Sequence, residues 1–266
     1  MRLRGAVALV TGGSSGIGAA TARCLAAAGA RLLIAGRDPR RLDTVARDTG
    51  GLAVEADLCA PDGPAELAEA ALAMVGKLPG GSGEEPCAGG IDILVNNAGI
   101  GWCGSLPDMD PGKIAEILAV NLAAPIELTR RLLPEMTARG RGRIVFVSSI
   151  AGATAVPGEA VYSAAKAGLS SFAECLGREL LGSGVRVSLV VPGVINTPFF
   201  DRRGRPYGRK LPVPLPAERA AEAIRLALER DLPEVYVPGW MRVPARLHGA
   251  APRLFGSLAT WFGHHG

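Results

Sequence analysis

Two hydrophobic rhythms alternate along the chain. Short, nearly unbroken apolar runs occur at Val7-Ala8-Leu9-Val10, Leu32-Leu33-Ile34, Ile91 to Val95, Ile144-Val145-Phe146-Val147 and Val185 to Val191. Runs without polar alternation predict strands buried on both faces of a sheet. Between them, apolar residues recur at helical spacing over Ile17 to Ala28, Pro39 to Asp48, Ala65 to Val75, Lys113 to Thr137, Ala160 to Leu181 and Ala217 to Arg230. Strand and helix taking turns predict βαβ units. The fold class is therefore α/β, a doubly wound parallel sheet with helices on both faces. Leu78 to Gly90, rich in Gly and Pro, reads as an exposed loop, and Asp201 to Pro216, rich in Arg, Gly and Pro, as a mobile one. The rhythm resumes after each, so neither divides the chain into domains.

Composition narrows the function class. The 266 residues are 48% hydrophobic and 20% charged, enough for one large core. The net charge of +4 comes from scattered arginines, without the clustered stripe that nucleic acid requires. Cys24, Cys59, Cys87, Cys103 and Cys175 are odd in number and show no CxxC spacing, as expected of reduced thiols in a cytoplasmic protein. The apolar run within Arg2 to Val10 is too short for a secretion signal, and no stretch is long enough for a membrane span. His248, His264 and His265 sit late in the chain, so no metal is expected.

The first predicted strand runs into Thr11-Gly12-Gly13-Ser14-Ser15-Gly16-Ile17-Gly18, and a helix follows. Glycines there allow a tight turn and close backbone approach, and the helix start offers free N–H groups to a pyrophosphate. The second strand ends at Gly36-Arg37-Asp38. A carboxylate at that end would bind the adenosine ribose and repel a 2′-phosphate. An arginine grips such a phosphate with paired hydrogen bonds. The dinucleotide expected is NADP(H) rather than NAD(H), with Asp38 turned aside to cap the helix that starts at Pro39. Later, Tyr162 and Lys166 stand four apart on a predicted helix and so share a face. A nearby ammonium favours the phenolate and would draw the phenol down from its ordinary pKa of about 10.

The loop spacing Gly12, Gly16, Gly18, the run Asn96-Asn97-Ala98-Gly99, the Tyr162/Lys166 pair and Pro192-Gly193 together resemble the short-chain dehydrogenase/reductase family, from about Gly5 to Val237. The resemblance implies a Rossmann domain over 1–237 and a catalytic set of Asn121, Ser149, Tyr162 and Lys166. Tyr162 would exchange a proton with the substrate oxygen, Ser149 hold that oxygen, Lys166 bind the nicotinamide ribose, and Asn121 kink its helix and order a water near the lysine. The cofactor would lie on Gly12, Ser14, Ser15, Gly16, Ile17, Gly18, Arg37, Asp57, Leu58, Asn96, Ala98, Gly99, Tyr162, Lys166, Pro192, Gly193, Ile195 and Thr197. Asp57 would reach the adenine, and Ile195 and Thr197 the nicotinamide amide. Gly36 stands where NAD-preferring members carry Asp.

The expected activity is hydride transfer between NADP(H) and a carbonyl or alcohol on a small, apolar ketone or alcohol. The alternatives are a non-catalytic NADP(H)-binding regulator, or a dehydratase-like or epimerising use of the same site. A homodimer or homotetramer through the two long helices is expected. Residues 238–266 lie beyond the resemblance. From Pro252 their apolar residues fall at helical spacing, as in an extension that packs on the domain or a partner, lines a substrate pocket, or rests on a membrane surface.

Overall fold

The computed structural model describes residues 1–79, 89–208 and 211–251. Seven parallel strands form the main sheet: β1 (Val7–Thr11), β2 (Arg31–Gly36), β3 (Leu52–Glu55), β4 (Ile93–Asn96), β5 (Gly142–Val147), β6 (Val185–Pro192) and, last in the chain, β9 (Glu234–Val237). Their order is β3-β2-β1-β4-β5-β6-β9. The chain winds outward from β1 in one direction and then restarts at β4 in the other, so a crevice opens beyond the strand ends between β1 and β4.

Alternation along β1 divides the core into two layers. Ala8 and Val10 face helices α1 (Gly16–Ala27) and α9 (Ala217–Arg230), packing with Ala22, Leu25, Ile224 and Leu228. Val7 and Leu9 face the other side, with Leu67 of α3 (Gly63–Met74), Leu128 of α5 (Ala124–Ala138) and Leu169 of α7 (Ala160–Glu179). Helix α2 (Pro39–Thr49) starts where the sequence predicts. Asp38 accepts a hydrogen bond from the Arg41 backbone, Pro39 sits in the first turn, and Gly50 closes the helix at φ +65°.

The stretch Lys113 to Thr137 is not one helix. It divides into α4 (Pro111–Leu118), a π-helical turn over Ala119–Ala123, and α5. Asn121 supplies the cause: its Nδ2 donates to the Ile117 carbonyl at 2.9 Å, competing with the backbone ladder. Pro125 then has no N–H to give.

The described residues of 201–216 include short regular elements. The segment is entered by the short helix α8 (Phe199–Arg202), and β7 (Ile195–Asn196) pairs with β8 (Leu215–Pro216) across it. The remaining helices are α6 (Ile150–Thr154) and α10 (Arg242–Ala250). Residues 238–251 fold back on the domain: α10 packs against α6, and Met241 and Ala245 are buried. The helical spacing from Pro252 onward and most of the Leu78 to Gly90 loop fall outside the described residues. Among the described residues no helix is long and apolar enough to cross a membrane.

Candidate active site

A cavity of about 1170 Å³ opens at the strand ends. Single-ligand pockets are typically about 300–1,000 Å³, so this one has room for a dinucleotide and a substrate together. One end is lined by Arg37, Arg41, Asp57 and Leu58, the middle by Gly12 and Ser14 to Ile17, and the other end by Ser149, Tyr162, Phe199 and Trp240.

The glycine loop is packed as tightly as its spacing implies. A Cβ on Gly18 would lie 2.2 Å from the Gly12 carbonyl oxygen, and one on Gly12 (φ +65°) would lie 2.8 Å from the Ala98 Cα. Gly18 therefore sets the loop's shape from behind, while Gly12 and Gly16 line the cavity. Ser15 precedes α1 without capping it, and no acidic residue occupies the first turn. Free N–H groups thus meet the cavity with no carboxylate to oppose an anion, which fits a pyrophosphate.

Two residues that the sequence did not single out brace this loop. The Thr11 hydroxyl donates to the Val95 carbonyl and accepts from the backbone N–H groups of Asn97 and Ala98. Asn97 Nδ2 donates to the Thr11 carbonyl at 2.9 Å. Asn96, by contrast, does not line the cavity. It is buried, and its Nδ2 donates to Thr129 on α5 at 3.1 Å. Neighbouring strand residues face opposite ways, so the first Asn of the pair ties β4 to α5 and the second reaches the loop.

Ala98, Gly99, Pro192, Gly193, Ile195 and Thr197 all line the cavity. Thr197 lies against Gly16, where a Cβ would come 3.1 Å from its side chain. At the end of the cavity beyond β2, Arg37 is exposed, 3.9 Å from Asp57, whose carboxylate also accepts the Cys59 N–H. Arg41 adds a second cation there, visible in the sequence only as another arginine in the run Asp38-Pro39-Arg40-Arg41.

At the reacting end the structure brings Ser149, Tyr162 and Lys166 together on the cavity wall. Ser149 caps α6 by accepting the Ala151 N–H, and its hydroxyl is near enough to Tyr162 to lower the phenol's pKa. Ser148 points away, sharing a hydrogen bond with Ser170 and donating to the Lys166 carbonyl. Lys166 is buried, donates to the Val147 carbonyl at 2.9 Å, and sits 5.9 Å from the Tyr162 ring centre. Asn121 stands behind the wall with Nδ2 on the Ile100 and Ile117 carbonyls and Oδ1 unpartnered. A Cβ on Gly99 would meet both that Oδ1, at 2.8 Å, and the lysine Nζ, at 3.6 Å. Glycine there leaves a polar gap between the two groups.

The electrostatics differ from the sequence expectation. Burial holds the Tyr162 phenol above its ordinary pKa. The Ser149 hydroxyl and the Arg203 charge pull it down, the Glu159 charge pushes it up, and Lys166 is not the dominant influence. Burial also draws the Lys166 ammonium down to about 8. An unfolded lysine titrates near 10.4, so the unfolded chain binds the extra proton between about pH 8 and about pH 10. Stability contributed by Lys166 therefore rises with pH in that window. The difference in urea midpoint between wild type and Lys166→Met should grow in favour of wild type from about pH 7 to about pH 9.5. A flat difference would show that the ammonium is not desolvated.

The family model for short chain dehydrogenases matches residues 6–207. This chain belongs to the short-chain dehydrogenase family. Short-chain dehydrogenases are oxidoreductases that interconvert CH–OH and C=O. Dehydrogenase/reductase SDR family member 7B of Mus musculus is 34% identical over 204 residues, covering 73% of this chain, which spans only 59% of that relative's length. A short-chain dehydrogenase from Sphingobium yanoikuyae in complex with NADPH superposes with a TM-score of 0.77 at 26% identity, covering 96% of this chain and 95% of its own. One from Burkholderia phymatum in complex with NAD gives 0.81 at 26%, with 96% of each chain covered. This short-chain dehydrogenase thus has structural neighbours that bind either dinucleotide. The family model stops at residue 207, whereas Trp240, Met241 and Pro244 of the segment beyond it also line the cavity.

Proposed function

We propose that the protein interconverts a carbonyl and an alcohol on a small apolar substrate, using NADP(H). The observation that carries this reading is the meeting of Ser149, Tyr162 and Lys166 on one wall of a cavity that continues over the glycine loop. The dinucleotide, when bound, supplies or accepts the hydride. Tyr162 then gives a proton to the substrate oxygen in reduction and takes it back in oxidation. Its raised pKa suits the donor role, because the phenol stays protonated at neutral pH. Ser149, beside Tyr162 on the same wall, stands where it can hold the same oxygen. The polar gap between Lys166 Nζ and Asn121 Oδ1 supports a bound water that resupplies the proton.

Preference for the 2′-phosphorylated dinucleotide rests on Arg37 and Arg41 with no carboxylate at Gly36. The apolar substrate class rests on Phe199, Phe200, Val156, Trp240 and Met241 around the reacting end. Purified protein given a panel of apolar ketones should consume NADPH in preference to NADH. The double variant Arg37→Ala, Arg41→Ala should lower the NADPH-over-NADH ratio of kcat/KM about tenfold or more. A wild-type preference for NADH would sink the reading of these arginines, and no turnover with either dinucleotide would sink the activity.

A further inference from the structure

Helix α8 is four residues long, yet this segment touches three separate parts of the site. The Phe199 ring lies 5.3 Å from the Tyr162 ring, centre to centre. Arg203, just after the helix, pairs with Glu159 at the start of α7. Arg202 reaches the opposite way. Its Nη1 donates to Ser15 Oγ at 3.3 Å, joining positions 187 apart.

The contact is a poor match for a guanidinium. A cation with five donors spends one on a neutral hydroxyl at the long end of hydrogen-bond range, and it stays exposed. No carboxylate among the described residues forms an ion pair with it. Its position is what matters: Ser15 precedes α1, where the uncapped N–H groups face the cavity. The loop from Thr11 to Gly18 carries no charged side chain, so a pyrophosphate there would meet backbone dipoles and hydroxyls but no cation from the loop. Arg37 and Arg41 lie at the far end of the cavity, and Lys166 is committed to the Val147 carbonyl.

Resting on the cofactor reading above, we propose that Arg202 is a phosphate-binding residue for the dinucleotide. Its guanidinium passes from Ser15 Oγ to the pyrophosphate oxygens and supplies the cation that the glycine loop lacks. The same segment carries Phe199 against Tyr162 and Arg203 against Glu159, so the grip on the phosphates also fixes the wall of the substrate end.

The test is fluorescence titration of the full chain with NADPH, and competition by 2′-AMP, which has the adenosine phosphate but no pyrophosphate. Arg202→Ala should weaken NADPH about tenfold or more and reduce the salt dependence of its binding. It should leave 2′-AMP within about twofold of wild type. Arg202→Lys should restore part of the loss, and Arg230→Ala, which removes the same charge at the exposed end of α9 outside the cavity lining, should bind NADPH as wild type does. NADPH affinity unchanged in Arg202→Ala overturns the proposal, as does an equal loss for NADPH and 2′-AMP. Wild-type protein that binds 2′-AMP and neither dinucleotide would overturn the cofactor reading itself.

Discussion

Tyr162→Phe is expected to lower ketone turnover by about a hundred- to ten-thousand-fold while NADPH still binds. The substitution removes one oxygen. The ring keeps its packing against Phe199, and Lys166 keeps its bond to the Val147 carbonyl. What disappears is the phenolic proton source beside Ser149. NADPH affinity measured by fluorescence should stay close to wild type, because the glycine loop and the arginines are untouched. Turnover that survives in Tyr162→Phe would show that another group protonates the substrate.

The second large effect concerns stability. Arg203 and Glu159 form an ion pair whose side chains are 8% and 11% exposed. The Arg203 Nε also donates to the Arg205 carbonyl, and its guanidinium lies over the Phe200 ring at 4.6 Å. Arg203→Met takes a buried guanidinium away from the largely buried Glu159 carboxylate. Breaking such a pair costs about 3–5 kcal/mol, roughly a 10 °C loss in Tm for a chain of this size. The double variant Glu159→Leu, Arg203→Met removes both charges and should recover most of that loss. A single variant as stable as wild type would show that the pair is solvated. In Arg203→Met the Tyr162 phenol should also rise further, since Arg203 lowers its pKa and Glu159 raises it.

The strands and most helices were legible because their apolar spacing is strong, and α9 coincides with its predicted bounds, Ala217 to Arg230. The glycine loop and the Tyr162/Lys166 pair were legible for the same reason, since local spacing fixes which side chains share a face. Contacts between distant segments were not. Nothing in the run Asn96-Asn97 says which amide turns toward α5. The kink at Asn121 was implied by the resemblance, but not the second bond of its side chain, to the Ile100 carbonyl 21 positions away. Glu159 and Arg203 are 44 positions apart, and neither is unusual in its own neighbourhood. The Tyr162 phenol was misread because helical spacing gives proximity to a lysine without giving the depth of burial. At that depth desolvation outweighs the ammonium.

The cavity has two kinds of wall, and they answer to different constraints. The loops after β1, β4, β5 and β6 are extensions of buried strands, so an altered residue there disturbs the sheet as well as the reaction. The far wall comes from α8 and from Trp240, Met241 and Pro244, segments that rest on the sheet without being part of it. Outside the buried Arg203 and Met241, a change in those segments disturbs the sheet little. Changes at Trp240 and Pro244 can therefore alter which molecule fits while the groups at the strand ends that move the proton stay in place.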